Sequence, residues 1–208
     1  MKKIMIVLII LVSLILGTFG FLRAYSQGKP FFDMFSMAEE ISQGKDSLLN
    51  YKARIDKVLD KIKIEQSPTE KYFVTISLSK YLSKEELEKL IKDYNIEVLA
   101  IEGRSIENGT MLKGTFFVAP ENGMLYDEKL LLDMLKRNDA ELKGFTAIIA
   151  NVQNQDIQKL RNDKMVFLID TSADGHFARN PKHEETNSWD GYAPSVFAEL
   201  EKNNLLNP

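Results

Sequence analysis

The alternation of apolar and polar positions divides the chain into an opening apolar run, one amphipathic helix and a series of short strands and helices. Ile4 to Leu22 (IMIVLIILVSLILGTFGFL) contains no charged residue and directly follows Lys2 and Lys3. As a helix rising about 1.5 Å per residue, the run is roughly 28 Å long, near the thickness of bilayer hydrocarbon. Lipid offers no partners to backbone amides, so a run of this kind is helical wherever it enters a membrane. Residues 37–64 form a second pattern. Ile41, Leu48, Ile55 and Ile62 recur every seven residues, Tyr51 and Val58 fall three residues after Leu48 and Ile55, and Gly44 interrupts the first such pair. Charged residues fill the remaining positions, while Leu49 and Leu59 widen the stripe. The pattern supports two readings. Either the helix is a stalk that pairs protomers through Ile41, Leu48, Ile55 and Ile62, or it packs its stripe on its own domain. Ser67-Pro68 ends the segment, because the residue before proline avoids helix.

From residue 72 the period changes. Tyr72–Leu78 places Tyr72, Val74, Ile76 and Leu78 on one face, a strand pattern. Ser83 and Glu86 form a capping box that opens a helix running to about Tyr94, with Leu87, Leu90 and Ile91 inward and Asn95 as a left-handed stop. Ile96–Ile101 is a second strand ended by Glu102-Gly103. Leu112–Ala119 is a third, separated by the Asn122-Gly123 turn from a helix over Asp127–Arg137. Phe145–Val152, Asp156–Asp163 and Met165–Asp170 then read as strand, helix and strand. The order β-α-β-β-α-β-α-β predicts an α+β fold. Its expected form is a ferredoxin-like split β-α-β sandwich with an inserted strand and helix around 104–143, preceded by a transmembrane helix and a long amphipathic helix. A doubly wound parallel sheet is the alternative; its strands would be more continuously apolar.

Two stretches carry a family resemblance. Gly144-Phe145-Thr146-Ala147-Ile148-Ile149, Asp156 to Asp163 and Met165 to Ile169 resemble the second half of subtilisin-type propeptides and their stand-alone inhibitor relatives. Tyr72–Leu78 with Ser83–Tyr94 is similar to the first half. The resemblance spans residues 71–103 and 144–170. It implies a ferredoxin-like fold whose sheet packs on a serine protease, with Asp170–Gly175 lying in the protease cleft.

Charge and composition narrow the function classes. The chain of 208 residues has 27 basic and 30 acidic residues, a net charge of −3, mixed without a basic stripe; nucleic-acid binding is therefore not expected. Absence of cysteine removes disulfides, thiolate metal sites and a cysteine nucleophile. Lys2 and Lys3 favour a cytoplasmic start, so the expected domains are a cytoplasmic start (1–3), a transmembrane signal anchor (4–22), a juxtamembrane segment and stalk (23–66), an extracytoplasmic α+β domain (67–175) and a C-terminal extension with a short helix (176–208). A cleaved signal peptide is the other reading of the opening run.

Three groups of residues are chemical candidates. Asp170, Ser172 and Asp174, followed by Gly175, match the opening of a calcium loop, where alternate oxygen-bearing side chains converge and glycine turns the chain. The same residues also suit an Asx-turn capping the strand end. His176 and His183 lie nearby and would be the zinc ligands of a metal-dependent hydrolase. Trp189, Tyr192 and Phe197 form an aromatic cluster that either recognises a protein partner or docks on the open face of the sheet. The composite expectation is a membrane-anchored extracytoplasmic binding or regulatory module without catalytic activity of its own. The alternative is a propeptide-like inhibitor or chaperone of a subtilisin-type protease.

Overall fold

The computed structural model describes residues 33–110, 112–174 and 191–207. The apolar run at 4–22 lies outside these residues, as do His176, His183 and Trp189. Among the described residues no helix is long and apolar enough to cross a membrane.

The long amphipathic segment is two helices, α1 (Met34–Ser42) and α2 (Lys45–Glu65). Gly44, at φ 123°, makes the break in a conformation that a side chain would strain. Asp33 caps α1 by accepting hydrogen bonds from the amides of Phe35 and Ser36. The sheet elements then follow in the expected order: β1 (Lys71–Leu82), α3 (Lys84–Asp93), β2 (Glu97–Glu107), β3 (Lys113–Val118), α4 (Glu128–Arg137), β4 (Ala140–Gln153), α5 (Asn154–Leu160) and β5 (Val166–Asp170). A short helix, α6 (Phe197–Lys202), lies near the end. The predicted capping box at Ser83 and Glu86 is present, and Asn95 ends the following helix at φ 49°. Asn122 and Gly123 both have positive φ, closing a turn that bridges Glu121 to Met124.

The five strands form one sheet in the order β3-β2-β4-β1-β5, and every pairing is antiparallel. The doubly wound parallel alternative is thereby removed. On the front face, Tyr72, Val74, Ile76 and Leu78 pack with Leu87 and Leu90 of α3, Leu131 and Leu135 of α4, and Ile157 and Leu160 of α5. β2 continues past Glu102-Gly103, where the sequence suggested a stop. A Cβ at Gly103 would lie 2.3 Å from Cζ of Phe116, so the glycine lets that ring lie across the strand.

The rear face is unlike the front. β1 presents Thr75, Ser77 and Ser79 there, all buried. Two pieces from opposite ends of the chain cover it. Ile41, Leu48, Tyr51 and Ile55 from α1 and α2 pack with Leu168, Val196 and Leu200. This corrects the stalk reading: Ile41, Leu48 and Ile55 are 2%, 0% and 4% exposed within the single chain, and Ile62 packs against the main core. The seam is spent on the chain's own sheet because the apolar edge at Leu168 offers the burial a second helix would have supplied.

Candidate functional site

Three places in the domain are candidates for a functional site, two of them buried and polar and one exposed. The first is the junction of α2 with the sheet. Asp170, buried on the rear face of β5, accepts a hydrogen bond from the Tyr51 hydroxyl and a second from the Ser172 amide at 2.8 Å. Burial pushes the Asp170 carboxyl up from its ordinary range, opposed by the bonds from Ser172 and Tyr51. Burial, and then the neighbouring Asp170, push the Tyr51 phenol up as well. Asp174 is turned elsewhere and accepts the Phe73 amide at 2.8 Å. The Ser172–Asp170 bond is the Asx-turn geometry. Asp170 and Asp174 are thus turned to different partners, Tyr51 and Phe73. Among the described residues no three histidine or carboxylate groups are placed to hold a metal ion.

The second place lies under residues 191–207, which run as a strap across the rear face. The Val196 amide donates to Ser77 Oγ at 3.1 Å, and the Asn207 amide donates to the Ser79 carbonyl at 2.8 Å. Glu102 sits buried beneath the strap, accepting the Thr146 hydroxyl at 2.7 Å and bonding Ser195. Burial raises the Glu102 carboxyl, while Thr146, Arg104 and Ser195 pull it back. Phe197 is fully buried and packs edge-on against Tyr81, the ring centroids 4.7 Å apart. Its expected role as a partner contact is therefore corrected. The aromatic completes the core, adding apolar mass where the sheet face carries the Ser77 and Ser79 hydroxyls. Tyr192 is half-buried against Phe117 at 5.8 Å.

Glu201 anchors the same strap. Its carboxylate takes Tyr81 Oη at 2.7 Å, Lys143 Nζ at 2.9 Å and Lys113 Nζ at 2.9 Å. Burial raises its pKa, but the three donors outweigh that and carry it down to about 2.

The third place is open to solvent: the inserted strand and helix. β3 is the edge of the sheet beyond β2. The Glu107 amide donates to the Leu112 carbonyl at 2.9 Å, which fixes the phase of the ladder. The Leu112 carbonyl and the backbone groups of Gly114, Phe116 and Val118 therefore face β2, while Lys113, Thr115 and Phe117 aim theirs outward. On the front side a cleft of about 340 Å³ separates this strand from α4, lined among others by Gly114, Phe116, Met134, Leu135 and Asn138. Ten large apolar side chains are exposed among the described residues. Six of them (Leu112, Phe117, Met124, Leu130, Leu132 and Leu142) lie between residues 112 and 142. Sequence reading placed no functional residue in this stretch. Its available signal was the paired Phe116-Phe117, which alternation alone forces onto opposite faces, one of them exposed.

The architecture defines an α+β domain with a five-stranded antiparallel sheet, both faces covered over β1, and β3 and β5 at its edges. No family model matches the chain, and neither a curated protein nor a solved structure matches it.

Proposed function

We propose that this protein is a non-catalytic binding or regulatory module, held at the outer face of a membrane by residues 4–22, whose contact surface is the inserted unit of β3 and α4. The observation that carries the reading is the concentration of exposed apolar side chains in residues 112–142, beside an unpaired strand edge. The buried carboxyls Asp170 and Glu102 support it from the other side, since each is engaged with groups of the protein itself. Carbonate washing of membranes should leave the full chain in the pellet, and protease added to intact cells should remove its bulk. Release of full-length chain into the wash would overturn the anchor. A photo-crosslinker at Leu130 should capture polypeptide where one at Leu49, on the exposed side of α2, does not.

A second reading has its own support. With β3 set aside, the order β5-β1-β4-β2 is that of a split β-α-β sandwich, so the core is read as ferredoxin-like with β3 and α4 inserted. That core favours a propeptide-like modulator of a subtilisin-type serine protease. Against it, α2 and the strap occupy the sheet face that such a modulator would give to its protease, and Asp170 and Asp174 are buried. Nanomolar inhibition of a subtilisin by the full chain would promote the second reading over the first.

A further inference from the structure

We infer that the outer edge of β3 pairs with β3 of a second copy of this chain, antiparallel about a two-fold axis at Thr115. The inference rests on the reading of the inserted unit as a contact surface and names its occupant.

Three observations carry it. The first is the phase of the ladder. Lys113, Thr115 and Phe117 point their amides and carbonyls away from β2. In an antiparallel pair, hydrogen-bonded residues must come from the outward set of both strands. A two-fold axis at Thr115 sets Thr115 against Thr115 of the second copy, and Lys113 against Phe117 of the second copy. All three outward residues of each strand are then satisfied at once. The second observation is charge. Strand β3 has no carboxylate and one cation, and this register never opposes Lys113 to its own equivalent; the position opposite it is an aromatic one instead. The usual device against edge pairing, a lysine projecting from the strand, is also disarmed here, because Lys113 Nζ is drawn onto Glu201 at 2.9 Å. The third is shape. On the front side the register sets Gly114 opposite Phe116 of the second copy, and a glycine leaves room for that approach. On the rear side, Phe117, 43% exposed, gains a neighbour. An unrelated extended peptide would satisfy the backbone equally well, but it would not supply this matching of charge and size.

The chain has no cysteine, so a single introduced thiol reports its own contacts. Hydrogen-bonded antiparallel pairs hold their Cα atoms about 5.5 Å apart, within the range a disulfide spans. Full-length chain carrying Thr115→Cys, in membranes or mild detergent with copper-phenanthroline as oxidant, should convert to a disulfide-linked dimer. The Leu49→Cys chain should remain at monomer mass. In sedimentation the chain without substitution should show a dimer that Thr115→Lys, which opposes two ammonium groups, shifts to monomer. Thr115 is exposed and its N–H faces outward, so at dilutions where both chains are monomers that substitution should leave thermal melting unchanged, while at higher concentration only the chain without substitution should gain stability. A monomer at every concentration, or equal cross-linking at Leu49→Cys, would overturn the inference. Capture of a different polypeptide by Thr115→Cys would also overturn it, while leaving the binding-module reading intact.

Discussion

Single side chains in this protein act mainly by closing the sheet's rear, and three of them are carboxyls whose titration is shifted by folding. Glu201 holds strap, β1, β3 and β4 together through Tyr81, Lys113 and Lys143. Its folded pKa of about 2 lies below the ordinary 4.5, so its contribution is complete above 4.5 and disappears as pH falls toward 2. Urea titrations across that window should show a steep acid loss in the native chain and a flatter one in Glu201→Gln. Asp170 and Glu102 run the other way. Their raised carboxyls favour the folded state below their folded pKa values and cease to do so as pH climbs through them. Tyr51→Phe removes the hydroxyl from Asp170 and leaves a buried acceptor short of a donor. It should cost about 1–3 kcal/mol by chemical denaturation, and a cost near zero would mean the pair is not formed.

At the scale of elements, the helices and strands were largely legible in the sequence, because capping and period are local. Ser83 with Glu86, Asn95, and the even-numbered face of β1 all stand where the pattern placed them. What α2 packs against was not legible. A seven-residue seam looks the same whether its partner is another helix or a strand edge at Leu168, and only the tertiary fold decides. The extension of β2 beyond Gly103 was hidden for a similar reason, since the ring that fills the glycine's place comes from Phe116, thirteen residues on. The edge of β3 was hidden because outward hydrogen-bonding phase depends on pairing with β2 and leaves no mark in composition. The α2 result makes a direct prediction. Leu48→Ala should destabilise the domain by about 2–5 kcal/mol, whereas Val58→Asp, on the exposed side, should stay within about 0.5 kcal/mol. Near-equal melting temperatures for the two would restore the stalk.

At the scale of the whole molecule, the domain is closed by residues distant in sequence. Lys202 Nζ donates to the Ser42 carbonyl at 3.4 Å, bringing the strap beside the end of α1. Asn207 reaches both the Ser79 and the Lys164 carbonyls. Removing residues 191–208 should therefore do more than shorten the chain. Val196, Phe197 and Leu200 are fully buried, and their loss would open a hydroxyl-bearing sheet face to water. The expected result is a chain that keeps far-ultraviolet circular dichroism, loses near-ultraviolet signal and binds a hydrophobic dye. A cooperative melt matching that of the full chain would show the strap to be dispensable.

The strap also sets a timetable. Ribosomes deliver residues 191–207 after every strand those residues cover, so all five strands emerge before their rear surface has its lid. Until then, the nascent polypeptide has Leu168 and the Tyr81 ring without their companions from Val196, Phe197 and Leu200. Native packing of that surface is complete only once synthesis has passed the strap, so the rear of the sheet is the last part of the domain to close.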